Sequence, residues 1–166
     1  MTDSTDLLTE RLVLHPITLA EAEAIHAVSR AGSDRWAPDY PFDGDLDAVG
    51  AGLAHGQFFQ EPAVWAYYQI RRGSDGTAIG GIGFFGPPDG NGHVEIGYGL
   101  AASARGNGYA AEALKCLIRW ALANGASLVR AETTPENLAS QRTLTGSGFT
   151  VGADSGEVLR YSVARS

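Results

Sequence analysis

The residues Arg105, Gly106, Asn107, Gly108, Tyr109 and Ala110 stand between a strand-like segment ending near Leu100 and the strongest helical pattern in the chain. The first N–H groups of a helix have no intrahelical acceptor, and the helix dipole gives them partial positive charge. Two glycines there clear the approach, so the turn suits a phosphate group, and Arg105 adds a full positive charge. Gly97 and Gly99 lie inside the preceding strand. Glycine weakens strand pairing and marks a bulge, or the close approach of another backbone or a ligand, so a site is expected to begin there.

The spacing Gly106-x-Gly108-x-x-Ala111 also meets a loose dinucleotide fingerprint, with Glu132 about 20 residues further on. A nicotinamide-binding oxidoreductase would need two βαβ halves. Here the glycines follow a run of strands, and only about 55 residues remain after them.

The elements that must position these residues follow from periodicity and capping signals. Residues 12–15 read as a first strand closed by Pro16. Thr18 and Glu21 fit a capping box that opens a helix to about Arg30, ended by Gly32. Residues 33–47 read as a loop, because two prolines and five aspartates disfavour a helix, and Asp45 or Asp47 is expected to cap a second helix through Phe59. Trp36, Tyr40 and Phe42 lie in that loop, either as a binding lip or as rings that pack it onto the core.

From Ala63 the pattern changes to strands at 64–70, 78–85 and 94–100, separated by turns, which predicts an antiparallel meander. Apolar residues at Ala110, Ala113, Leu114, Leu117, Ile118, Ala121 and Leu122 predict the clearest helix, with Gly125 just past its end. A strand at 128–133, a helix capped by Asn137 and reaching about Ser147, and a hairpin of 149–151 with 158–164 complete the chain. Cys116 falls near the apolar stripe of the long helix and reads as a packing residue.

With 166 residues, 44% of them hydrophobic, the chain is expected to form one domain over 1–166. Residues 1–62 hold eleven acids and three bases, a net −8, and the remainder is +1. The acidic total argues against nucleic-acid binding. The uneven split allows an anionic ligand on one half and a cationic one on the other. No apolar run reaches the roughly 20 residues of a membrane span, and the acidic start is unlike a signal peptide. With a single cysteine as well, a cytoplasmic location away from membranes is expected. His15, His26, His55 and His93 lack metal-ligand spacing, so no metal is expected.

Residues 105–110 resemble the Q/R-x-x-G-x-G/A pyrophosphate loop of GNAT-fold acyl-CoA N-acyltransferases, in an Arg and Ala form. Glu10 to Leu14 looks like that family's first strand, and Val94 to Tyr98 is similar to the fourth strand of its ribosomal-protein N-terminal acetyltransferase branch, RimJ/RimL-like. Asn137 to Arg142, followed by Gly148 and Phe149, looks like that branch's last helix and strand. The resemblance implies an α/β (α+β) fold: a mixed, mostly antiparallel seven-stranded sheet with about four helices, its fourth and fifth strands splayed.

It further implies acetyl-CoA as co-substrate, with the pyrophosphate on the N–H groups of residues 105–110. Pantetheine would lie between the splayed strands beside Gly97, Tyr98, Gly99 and Leu100, with Asn137 and Arg142 near the cofactor. The acceptor is an amine; the five aspartates between Asp34 and Asp47, with Trp36 and Tyr40, lead to the expectation that it is cationic, met also by Glu132, in a monomer or homodimer. An alkyl ammonium must lose a proton before it attacks a thioester, which makes Glu95 the expected base and Glu132 the second candidate. Many members carry a general-acid Tyr where this chain has Leu144, so the resemblance leaves Ser140 to protonate the thiolate. A catalytically silent CoA-binding module would share the loop and show no turnover.

Overall fold

In a computed structural model that describes residues 5–28, 35–56 and 65–165, one sheet runs in the order β1-β2-β3-β4-β5-β6-β8-β7. Its strands are β1 (Leu7–Leu8), β2 (Leu12–Pro16), β3 (Tyr67–Arg72), β4 (Ala78–Phe84), β5 (His93–Leu100), β6 (Leu128–Thr133), β7 (Thr150–Asp154) and β8 (Leu159–Ala164). Neighbours are antiparallel except β5 and β6. The sheet has eight strands rather than seven. The additional one is β1, whose two residues pair with Val13 and Leu14 and are too short to leave a periodic signal.

Four α-helices accompany the sheet among the described residues: α1 (Leu19–His26), α2 (Asp43–Ala54), α3 (Tyr109–Ala123) and α4 (Leu138–Gly146). The capping box at α1 forms: the Glu21 N–H donates to Thr18 Oγ1 at 3.2 Å, and the Thr18 N–H donates to Glu21 Oε1 at 2.9 Å. Helix α1 ends at His26 and α2 at Ala54, short of the ends expected near Arg30 and Phe59; Arg30, Gly32 and Phe59 themselves lie outside the described residues. Helix α2 starts earlier than its aspartates suggested. Acidic side chains are favoured in a first helical turn, and Asp45 reaches back to accept the Phe42 N–H at 3.3 Å.

Alternation along the strands separates two layers. Tyr67 packs with Ile17, Ala22, Ile25 and Val49 beneath α1 and α2, whereas its neighbour Tyr68 faces the larger core with α3. Val94, Ile96 and Leu100 of β5 join that core, which leaves Glu95, Gly97 and Gly99 on the α1/α2 face. Helix α3 buries Ala113, Leu114, Cys116, Leu117, Ile118 and Ala121, along the stripe its sequence predicts, and burial pushes the Cys116 thiol up from its ordinary pKa. Leu114 and Leu117 are fully buried, each contributing about 1.5–3 kcal/mol through burial. The described residues contain no helix long and apolar enough to cross a membrane.

Candidate active site

Strands β5 and β6 pair only from His93↔Leu128 to Glu95↔Arg130. Beyond Glu95 they diverge, so Ile96 to Leu100 present a free backbone edge while β4 still holds their other side. A cavity of about 300 Å³ fills the divergence, lined by Glu95, Gly97, Tyr98, Glu132, Asn137 and Ser140 among others. This is the splay that the family resemblance implied.

The glycine-rich turn follows the end of β5 at Leu100. Gly106 and Gly108 adopt left-handed φ of 84° and 79°, and a Cβ on Gly106 would meet nothing within 4 Å. Among the described residues no acceptor receives the N–H groups of residues 106–111, so six successive donors stand free at the start of α3. That arrangement fits a pyrophosphate. The turn is pinned from the far side by Arg11, at the start of β2. Its Nη1 donates to the Asn107 carbonyl at 2.9 Å, its Nε donates to Glu112 at 2.8 Å, and its guanidinium lies 4.7 Å from the Tyr109 ring centre. Because the peptide unit is planar and trans, fixing the Asn107 carbonyl toward Arg11 aims the Gly108 N–H the opposite way. Arg105 folds back, its Nε donating to the Leu100 carbonyl at 3.2 Å.

Glu95 and Glu132 line the same cavity, from facing strands. Glu132 is exposed and paired to Arg160 at 3.0 Å. Glu95 is half-buried, and its carboxylate has no hydrogen bond or ion pair among the described residues. Burial and the neighbouring Glu132 charge raise its pKa above the ordinary carboxylate range, opposed by Arg130 and Arg160. Such a carboxylate is ready to accept a proton. On α4, Asn137 caps the helix by accepting the Ser140 N–H at 3.1 Å, and the Ser140 hydroxyl lies 2.7 Å from that of Tyr98. Arg142 is exposed on the same helix, and Leu144 is buried.

A second cavity of about 840 Å³ opens on the α1/α2 face and meets the first at Phe85, Gly97 and Tyr98. A Cβ on Gly97 would strike the Phe85 ring at 2.8 Å, and one on Gly99 the Phe42 ring. The strand glycines therefore admit two aromatic rings as well as a cavity. Trp36 and Tyr40 are not at its rim, which corrects the expected lip. The Ala37 N–H donates to the Ala78 carbonyl and the Ala78 N–H to that of Arg35, so the segment lies against the start of β4 and its rings turn inward. Tyr40 is 1% exposed, and Trp36 packs edge-on against it at 5.5 Å. Asp34 lies outside the described residues, and Asp39 accepts both the N–H and the hydroxyl of Ser103.

Arg11, Glu112 and Tyr67 were not singled out from the sequence as site residues, and Asp45 only as one of five aspartates expected to attract a cationic acceptor. Their signals are single polar residues in a strand start, a helix first turn and a buried strand, with no spacing that joins them.

The sequence profile of the acetyltransferase (GNAT) domain matches residues 11–150. The chain belongs to this acetyltransferase family. It is 44% identical over 84 residues to the uncharacterized N-acetyltransferase YjdG of Bacillus subtilis, a match spanning half of each protein. A crystal structure of an acetyltransferase from Agrobacterium tumefaciens, 26% identical, superposes with a TM-score of 0.68 over 99% of this chain and 97% of that one. RimL, a ribosomal-protein α-N-acetyltransferase solved with coenzyme A, shares the fold at 19% identity, with a TM-score of 0.67 over 96% of this chain and 97% of its own. Among the described residues no group of three or more His, Cys, Asp or Glu side chains is arranged to hold a metal ion.

Proposed function

We propose that this GNAT enzyme moves the acetyl group of acetyl-CoA to a primary amine by direct attack in a ternary complex, within the RimJ/RimL-like branch. The carrying observation is the six free N–H groups of residues 106–111, which follow the strand whose free edge borders a cavity lined by Glu95 and Ser140. The diphosphate of the CoA moiety accepts from those donors, and pantetheine runs along the free edge of β5 from Leu100 toward Gly97. That brings the thioester beside Glu95. The amine, held on the Gly97 side, gives its proton to Glu95 directly or through water and attacks the thioester carbon. Collapse of the tetrahedral adduct breaks the carbon–sulfur bond, and the Ser140 hydroxyl, backed by Tyr98, protonates the thiolate.

The test is a thermal shift with acetyl-CoA and with NAD, followed by thiol release over a panel of primary amines and peptide N-termini. Stabilisation by acetyl-CoA alone and acetyl transfer to an amine are expected. Stabilisation by NAD with acetyl-CoA left intact would replace this reading with nicotinamide chemistry, and binding with no transfer would reduce the protein to a CoA-binding module.

A further inference from the structure

The larger cavity has a polar end that the transfer reaction leaves unused. Its volume of about 840 Å³ suits a small molecule. Its described walls are mainly apolar, with Phe42, Ala48, Ala51, Phe85 and Pro87 around a floor that includes Gly81 and Gly83, whose missing side chains make room for Tyr67. Asp45 also lines it, although only 1% exposed. The Tyr67 hydroxyl donates to Asp45 Oδ1 at 2.6 Å, and the Phe42 N–H donates to Oδ2 at 3.3 Å. A carboxylate oxygen accepts more than one hydrogen bond, so both atoms keep acceptor capacity beyond these two bonds. Asp47 is the other carboxylate of the lining, and the described lining holds no lysine or arginine. A carboxylate buried against apolar walls is costly without a donor partner, and burial pushes Asp45 up to about 6.

The sheet supplies a ruler. Asp45 Oδ1 sits 2.7 Å from where a Cβ on Gly81 would lie, and Gly81 pairs with Gly99. Glu95 is four residues back along β5, and Gly97 two. At about 3.3 Å per residue, Asp45 therefore stands roughly 7–13 Å from the level where the amine reacts.

Resting on the proposed amine acetylation, we infer that the acceptor is a small amine with an apolar body and a second hydrogen-bond donor, and that Asp45 with the Tyr67 hydroxyl receives that second group. The walls take the body, the pair fixes its far end, and the distance between them selects molecular length. An acceptor of this kind reaches from the α2 side of the sheet through the cavity to the thioester.

Straight-chain diamines from diaminopropane to diaminononane, each beside its matched monoalkylamine, supply the test through two independent readouts. Thiol release with acetyl-CoA reports turnover, and calorimetry on the CoA-loaded protein reports binding. Affinity should pass through a maximum at intermediate chain length, where the diamine exceeds its monoamine by about tenfold, the scale of one charge-assisted hydrogen bond. Asp45→Asn should bring that ratio close to one. Should this variant fail to fold, Ala51→Phe, at an exposed helix position beside the cavity, should weaken the amines and move the maximum to shorter chains. Equal binding of diamines and monoamines, a ratio that survives Asp45→Asn, or transfer to peptide N-termini alone overturns the inference. Turnover absent with every amine overturns the acetylation reading instead, and calorimetry still decides the Asp45 site.

Discussion

The hydroxyls of Tyr98 and Ser140 lie 2.7 Å apart, joining the free edge of β5 to the first turn of α4 across the gap between the diverging strands. Neither residue reaches the other by local sequence, being 42 positions apart. Burial raises the Tyr98 pKa, and its hydrogen bonds to Ser140 and Thr143 oppose the rise. A tyrosine is thus present beside the serine even though Leu144 is buried at the helix position where many family members carry one. In the proposed mechanism the two hydroxyls act as a short relay: Ser140 gives its proton to the sulfur and takes one from Tyr98, which solvent reprotonates.

If they act as a relay, their removal is not additive. Ser140→Ala is expected to slow acetyl transfer about tenfold in single-turnover measurements, since a thiol with an ordinary pKa of about 8.5 leaves tolerably without help. Tyr98→Phe should cost a similar factor, and the double variant little more than either alone. Losses that multiply would mean that the two hydroxyls serve separate steps.

Glu95→Gln keeps the shape of the side chain and removes the proton acceptor. Turnover near pH 7 is expected to fall by ~10²-fold while acetyl-CoA affinity stays the same by calorimetry. The raised pKa of Glu95 also fixes the sign of the pH dependence. The base works only when ionised, so activity should rise with pH through a limb above the ordinary carboxylate range, near 4.3. Glu132→Gln removes a repelling charge and should move that limb to lower pH. A limb that stays put in this variant assigns it to another group.

The cofactor loop makes two separable predictions. A side chain at Gly108 would begin 3.5 Å from the Arg11 guanidinium that pins the turn, and a β-branched residue is strained at a φ of 79°, so the loop and its N–H groups must shift. Gly108→Val should therefore remain folded by circular dichroism yet lose acetyl-CoA binding. Arg11→Ala leaves the approach open and releases the Asn107 peptide together with Glu112 and the Tyr109 ring, so it should weaken acetyl-CoA about tenfold with kcat nearly unchanged. Arg11→Lys keeps the charge but not the fork that spans Glu112 and Asn107, and should recover only part of the loss.

What the sequence disclosed and what it hid divide along physical lines. The α3 stripe, the Thr18 capping box, the meander and the glycine turn depend on neighbours within a few residues, and each was readable as written. Residues 35–42 misled because solvent and core use the same aromatic residues: only the backbone pairing at Ala78 turns Trp36 and Tyr40 inward. The short β1 left no period to read. Arg11 with Glu112, and Asp45 with Tyr67, are contacts between elements 101 and 22 residues apart, invisible until the sheet brings them together.

His15 joins three elements through charge, and that sets the pH range of stability. Its Nδ1 lies 2.7 Å from Asp6 and its Nε2 2.8 Å from Glu21, which also pairs with Arg71 at 3.2 Å. Burial lowers the His15 pKa, but the bonds to Glu21 and Asp6 more than reverse this and raise it above 6.5. Burial likewise raises the Glu21 pKa, and the bonds to His15 and Thr18 bring it down to about 2. A depressed carboxylate stabilises the fold above its unfolded pKa, near 4.3, and that contribution fades as pH falls toward 2. An elevated histidine stabilises below its unfolded pKa of 6.5, and that contribution is lost as pH rises through the higher folded value. Urea unfolding should thus find greatest stability between about pH 4.5 and 6.5. Other groups titrate over the same range, so the decisive quantity is the difference from His15→Gln. That variant should be less stable than the parent between pH 5 and 6, and the gap should narrow from pH 6.5 upward. A gap independent of pH would mean that His15 is held neutral and contributes by packing alone.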